Sequence, residues 1–241
     1  MLGFLKEILL PVLCVGCGDM GEFCCRRCLE NLSFLSFQEC PVCRKPKDDG
    51  GYCGGAECMV TYGEKYSFDR LLVAFKYQPK GVLSKLIVQM KYKFSRDAAN
   101  VLGTAMVYLV QSLLMRRSLG EFVLVPVPLS KKRLRERGFN QAEELAKVVG
   151  GRVGLGVVDC LSRSDRIKQS LLTKNARWRN LAGSIEMKSH YQGVCRGKTV
   201  ILVDDVVTTG ATLDVCSRIL KESGAKAVWG VVLARGEFAR R

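Results

Sequence analysis

Two adjacent carboxylates, Asp204 and Asp205, end an apolar run and are followed at once by Thr208, Thr209, Gly210, Ala211 and Thr212. Ionised carboxylates only accept hydrogen bonds, so a neighbouring pair suits two vicinal hydroxyls, met directly or through a magnesium ion. The small residues behind them let successive backbone amides approach an anion, and the threonine hydroxyls add donors. The segment Val200–Leu213 therefore predicts a site for a ribose bearing a 5-phosphate. Asp204 and Asp205 would act as the catalytic pair on the sugar, with residues 208–212 on the phosphate. A Walker loop is excluded, because the lysine it places after the glycine is missing. An ordinary strand-to-helix turn needs one cap and one glycine. Two acids and five consecutive phosphate-compatible residues exceed that requirement.

Positioning such a loop takes a buried strand before it and a helix after it. Thr199–Val203 is a continuous β-branched and aliphatic run, as in a parallel strand covered on both faces. A helix is predicted from Thr212 to about Ser223, which sets the phosphate at the positive end of its dipole. Further strands are expected at Phe68–Phe75, Phe122–Val127 and Ala227–Leu233, with helices from Val82, over Ala98–Met115, and from Asn140 as cap to about Val149. Strands alternating with helices argue for an α/β domain built on a parallel sheet flanked by helices.

Nine of the twelve cysteines precede residue 60. Cys14/Cys17, Cys25/Cys28 and Cys40/Cys43 are C-x2-C knuckles, Cys53/Cys58 is C-x4-C, and Cys24 is left over as an alternative ligand. A tight turn brings thiolates i and i+3 to one side, so four pairs make up to two tetrahedral zinc sites of four sulfurs. Sequential pairing gives two zinc ribbons and crossed pairing a cross-brace; spacing alone leaves both open. With no open position the zinc would be structural, holding together a segment poor in aliphatic residues by roughly 10 kcal/mol or more. Cys160, Cys195 and Cys216 are isolated and read as small core residues.

The net charge of +15 is unevenly spread. Residues 1–60 hold 6 Lys and Arg against 8 Asp and Glu, whereas residues 61–241 hold 32 against 15. These counts fit a Cys-rich zinc domain over 1–62 and a larger, strongly basic domain over 63–241. A positive field suits a polyphosphate or a nucleic acid. No apolar stretch approaches the roughly 20 residues of a membrane span. Lys6 and Glu7 interrupt the N-terminal apolar run, which reads as a short amphipathic helix rather than a signal peptide. Reduced cysteines beside a nucleotide-type domain point to the cytoplasm.

Three more segments are candidates for chemistry. Pro126-Val127-Pro128-Leu129-Ser130 leads into Lys131, Lys132, Arg133, Arg135 and Arg137, five cations in seven positions that serve either as anion ligands or as a solvated face. Arg137-Gly138-Phe139-Asn140-Gln141 follows, with Phe139 either stacking on a base or packing in the core. Arg163–Met187, polar and basic, fits a flap closing over a reactive ligand, or a solvated connection. His190 reads as a surface residue, and the lysines around Lys91 are as compatible with solvent as with a ligand.

Val200–Leu213 resembles the phosphoribosyl pyrophosphate (PRPP) loop of type I phosphoribosyltransferases. Together with Pro126–Pro128, Arg137–Gln141 and the cysteine-rich N-terminus, it makes the chain similar over nearly its whole length to the ComF family, the ComFC-like and GntX-like proteins of natural competence. The spacing Gln169-x7-Arg177-x2-Asn180 resembles a pattern of the same family. The resemblance implies a type I phosphoribosyltransferase-like fold that takes PRPP with magnesium, or a nucleotide. It makes Lys131, Lys132, Arg133 and Arg137 candidates for pyrophosphate or DNA, with Ser130–Arg133 as the pyrophosphate loop, although family enzymes often use a tighter, glycine-containing one. It further implies a competence protein handling imported single-stranded DNA alongside competence-machinery proteins. The alternative is an active transferase of nucleotide salvage, moving ribose 5-phosphate from PRPP to a nitrogen acceptor. No segment supplies a recognisable base pocket.

Overall fold

Four apolar runs, too hydrophobic for a sheet with one wet face, become four parallel strands covered on both sides. The computed structural model describes residues 12–55, 58, 66–93, 95–115, 118–165 and 183–236. In chain order the elements are α1 (Arg26–Glu30), β1 (Arg70–Phe75), α2 (Val82–Tyr92), α3 (Arg96–Leu114), β2 (Phe122–Pro126), α4 (Lys131–Arg137), α5 (Gln141–Val153), β3 (Leu161–Arg163), β4 (Ile185–Met187), β5 (Thr199–Val207), α6 (Ala211–Glu222) and β6 (Ala227–Arg235).

The sheet order is β1-β6-β5-β2, and every pairing in it is parallel. Because side chains alternate along a strand, each strand feeds two cores. Ile201, Val203, Val231 and Leu233 face α3 and α5. Val200, Leu202, Val228 and Val232 face α6 and the antiparallel pair β3–β4. Gly103 lets α3 approach α5, since a Cβ there would stand 2.8 Å from Val148. This two-faced arrangement leaves the carboxyl ends of the strands as the open edge, where ligands of parallel α/β sheets bind.

Two elements differ from the sequence reading. The strand expected to stop at Val203 runs on to Val207, because β6 continues beside it and pairs Asp204 with Val232 and Val207 with Arg235. The stretch after β2, expected as an exposed basic loop, is the helix α4. Its Ser130 cap accepts from Arg133 N–H, and Gly138 closes it in the left-handed region at φ 71°. Residues 166–182 of the expected flap lie outside the described residues; its two ends are the paired strands β3 and β4.

The cysteine-rich head covers the exposed edge of β1. Leu35 N–H donates to Ala74 and Lys76 N–H to Ser33, while Leu71 N–H reaches Gly50. Between them the buried Gln38 side chain imitates a strand residue. Its Nε2 donates to Val73 O at 3.1 Å, and its Oε1 accepts from Val73 N at 2.8 Å. An unpaired strand edge is thereby satisfied by the head instead of by another chain. Cys14, Cys24, Cys28 and Leu32 share one apolar cluster with α3 and α5, so head and sheet have a common core.

Candidate functional site

The end of β5 presents the two acids to opposite faces, since neighbouring strand residues alternate. Asp205, 8% exposed, turns toward α2 and meets Lys91 Nζ at 2.9 Å. Asp204, on the other face, accepts the backbone N–H of Asp205 at 2.8 Å. Burial first, and the Asp205 charge second, push the Asp204 carboxyl up to about 7 against the pull of that hydrogen bond, Lys91 and Arg163. One acid is thus paired with a lysine, while burial and its neighbour's charge favour the neutral form of the other.

Beyond Val207 the chain turns through exposed Thr208 and Thr209 into Gly210, which lies in the left-handed region at φ 80°. Ala211 N–H donates to Thr209 Oγ1 at 3.3 Å, and α6 begins. The turn is clamped from outside by Tyr66, whose hydroxyl donates to Thr209 O at 2.8 Å. Asp214, in the first turn of α6 and 2% exposed, is no ligand. It accepts the Ser67 N–H and pairs with Arg218, tying the lead into β1 to the helix behind the loop.

Parallel pairing of β2 with β5 carries α4 to the same edge. Lys131, Lys132, Arg133 and Arg135 are exposed there. Lys132 N–H donates to both carboxylate oxygens of Asp165, at 3.1 and 2.8 Å, and this contact holds the Asp165 carboxyl below its usual range. Arg163 is pushed below the usual guanidinium range by burial and then by Arg133, and is drawn the other way by Cys216, Asp204 and Asp165. It links the acids of β5 to the cations of α4. Arg137 is less exposed, its guanidinium 5.4 Å from the Tyr92 ring and its Nη1 on Gln141 at 3.0 Å.

Asn140 caps α5 as expected, accepting from Ala142 N–H, and its Nδ2 reaches Val127 O. Phe139 packs against the core beside α3 and α5. His190 is exposed, with its ring tilted against that of Tyr191, and Cys160, Cys195 and Cys216 are fully buried. Lys91 and Arg163, which the sequence left open between ligand contact and solvent, are site neighbours, and so is Tyr66, which nothing in the sequence singled out. Their partners lie far away in sequence, so no local pattern marks them.

The cysteines converge as two sequential tetrads, Cys14, Cys17, Cys25, Cys28 and Cys40, Cys43, Cys53, Cys58. Within each set the sulfurs lie within 4.8 Å of one another. Cys17–Cys25 is 3.7 Å, Cys40–Cys58 3.9 Å and Cys43–Cys53 3.6 Å. Four sulfurs at 2.3 Å from a tetrahedral ion are about 3.8 Å apart, so the donor sets fit zinc. Burial opposes ionisation of Cys14 and Cys40. Backbone N–H groups outweigh it, from Cys17, Cys25 and Gly16 in one case and Cys43, Cys53 and Val42 in the other, and bring both thiols down to about 6. Cys24 stays outside the tetrads, buried, with burial pushing its thiol up to about 11.

Residues 134–239 match the phosphoribosyl transferase domain family, which spans Asp204, Asp205 and the turn after them. Competence protein ComFC of Bacillus subtilis is 27% identical over 214 residues, covering 86% of this chain and 81% of its own. DNA utilization protein YhgH of Escherichia coli is 30% identical over 200 residues, covering 78% and 80%. The chain belongs to the ComFC family of phosphoribosyltransferase-domain proteins. A purine phosphoribosyltransferase of Pyrococcus horikoshii aligns over 56% of this chain and 84% of its own, at 16% identity and a TM-score of 0.34. Among the described residues no helix is long and apolar enough to cross a membrane.

Proposed function

We propose that this protein is a DNA-utilization factor of the competence type. It holds a 5-phosphorylated ribose, as PRPP or as a nucleotide, at the carboxyl end of β5 and tracks single-stranded DNA over the basic surface beside it. The observation that carries the reading is the pair Asp204 and Asp205 directly before the Thr208–Gly210 turn at the open edge of a parallel sheet. Backbone amides of 208–212 and the dipole of α6 meet the phosphate. Asp204 accepts the ribose hydroxyls, and the Asp205–Lys91 pair on the other face anchors the end of β5 behind it.

The two carboxylates face opposite ways, and the ligand atoms that converge among the described residues are those of the cysteine tetrads. Magnesium therefore belongs with the diphosphate of PRPP, whose charge it neutralises, rather than with a preformed protein site. Lys131, Lys132, Arg133 and Arg163 lie where a departing pyrophosphate would need countercharge. That placement favours a second reading, a transferase acting on a nitrogen acceptor. Zinc in the two tetrads is structural, and it keeps the head folded against β1.

The test is binding. PRPP with magnesium raises the melting temperature of the parent protein, and joint Asp204→Asn and Asp205→Asn substitution abolishes the increase. A parent protein that shows no increase refutes the site. Single-stranded DNA affinity falls with salt, and neutralising Lys131, Lys132, Arg133 and Arg137 flattens the log–log slope by about 0.7 per lost phosphate contact. Pyrophosphate release across a panel of nucleobases separates the transferase reading from binding alone.

A further inference from the structure

The two cysteine tetrads open with the same knuckle. In each, the residue after the second cysteine donates its N–H to the carbonyl of the first: Gly18 to Cys14 at 2.9 Å and Arg44 to Cys40 at 3.1 Å. The first cysteine then donates to the second residue beyond that knuckle, Cys14 to Asp19 and Cys40 to Lys45. The turn demands a left-handed residue, and the first knuckle uses Gly18 at φ 85°. The second places Arg44 there at φ 63°. A long side chain in that region is uncommon, and such an outlier points toward a function for the side chain.

Arg44 reaches the end of β6. Its Nη2 lies 3.5 Å from Gly236 O, and Gly236 N–H donates to Val207 O at 2.8 Å, directly before the Thr208 turn. Arg235 stands beside it, donating from Nη2 to Pro41 O at 2.6 Å. Its Nε is buried and has no hydrogen-bond partner among the described residues. Burial, then the Arg44 charge, push the Arg235 guanidinium below its usual range, while Tyr66, Glu39 and Cys40 draw it upward. Two repelling guanidiniums with an orphaned donor, next to an anion-binding turn, make a place for a second anion.

Sheet order identifies the anion. β5 lies between β6 and β2, so Arg44 and Arg235 flank the turn on the side away from the α4 cations. A ligand stretched from the turn toward α4 ends on the wrong side to supply it. We propose that Arg44 and Arg235 form a subsite for the next phosphodiester of a single-stranded polynucleotide, one nucleotide beyond the phosphate held by the turn. The inference rests on the reading that residues 208–212 hold a ribose 5-phosphate. It makes the second metal knuckle part of the nucleic-acid surface.

The experiment uses the zinc-loaded full chain with two probes, a short single-stranded oligonucleotide followed by fluorescence anisotropy and magnesium–PRPP followed by thermal shift. Arg44→Gly restores the residue type of the first knuckle, so the fold and zinc content are expected to persist. Oligonucleotide affinity then drops about tenfold to a hundredfold, the salt slope loses about 0.7, and the PRPP shift is unchanged. Arg235→Gln gives the same pattern, and Arg44→Lys recovers part of the affinity. Unaltered oligonucleotide binding with zinc retained overturns the subsite. Equal loss of both probes overturns it too, since the arginines then belong to the PRPP pocket. Zinc loss in Arg44→Gly assigns the arginines to charge balance of the tetrad and likewise refutes it. A parent protein without a PRPP shift defeats the underlying site reading instead.

Discussion

Replacing each of the two adjacent acids with its amide should shift stability in opposite directions. Asp204 has a pKa pushed up to about 7 in the folded protein against an ordinary value near 4. Its neutral form is favoured by the fold, so the associated stability is complete below about pH 4 and is lost as pH rises toward 7. A pKa difference of about 3 corresponds to ~4 kcal/mol. Asp204 keeps some solvent contact, and part of the cost is repulsion from Asp205, so about 2 kcal/mol is the working value. Asparagine cannot ionise and keeps an oxygen for the Asp205 N–H. Asp204→Asn should therefore raise the melting temperature of the ligand-free protein at pH 8 by about 4–8 °C and leave it unchanged near pH 4. Asp205→Asn strips Lys91 of its charged partner at a largely buried site, costing about 2 kcal/mol and lowering the melting temperature by a similar amount. Thermal unfolding from pH 4 to pH 8 reads both. Destabilisation by Asp204→Asn at pH 8, or a difference independent of pH, would refute the assignment of the two acids to opposite roles.

Metal analysis should return two zinc ions per chain. Cys43→Ser should remove one of them, whereas Cys24→Ser should leave both, because Cys24 lies outside the tetrads. Gly210→Ala puts a side chain at φ 80° and 3.3 Å from the Tyr66 ring, so it should cost about 1–2 kcal/mol and weaken the PRPP-induced shift, read by thermal unfolding with and without ligand. Gln38→Ala leaves the N–H and carbonyl of Val73 without their side-chain partner. A loss of about 1–3 kcal/mol in urea unfolding is expected, and a neutral result would show that water replaces the amide.

Much of the fold was legible because its signals are local. The helices from Val82 and over Ala98–Met115 are observed at Val82–Tyr92 and Arg96–Leu114, set by apolar periodicity and, for the second, by the Ser95 cap. The Asn140 cap and the helix behind Gly210 were equally readable. The length of β5 was not. Asp204 and Asp205 look like the end of a strand when seen alone, yet the ladder with β6 carries them on to Val207. Nor was α4 legible, since its five cations resemble a solvated loop until Ser130 and Gly138 are seen to cap both ends. In the candidate site, the acids and the small-residue turn stood out by composition, whereas Lys91 and Arg163 stayed open between ligand and solvent and Tyr66 went unmarked, because each acts across a distance set by packing.

By itself the sequence determined that this is a parallel α/β protein with a paired-acid loop and a cysteine-rich head, because buried runs, adjacent carboxylates and C-x2-C spacing are properties of neighbouring residues. Tertiary structure decided the rest. It chose sequential tetrads over a cross-brace, used Gln38 to close the edge of β1, and turned Asp204 and Asp205 to opposite faces with different partners. It also brought the second cysteine knuckle to the end of β6, beside the Thr208 turn. Those outcomes depend on which segments pack together, and a chain read in one dimension carries no distance between residues 44 and 235.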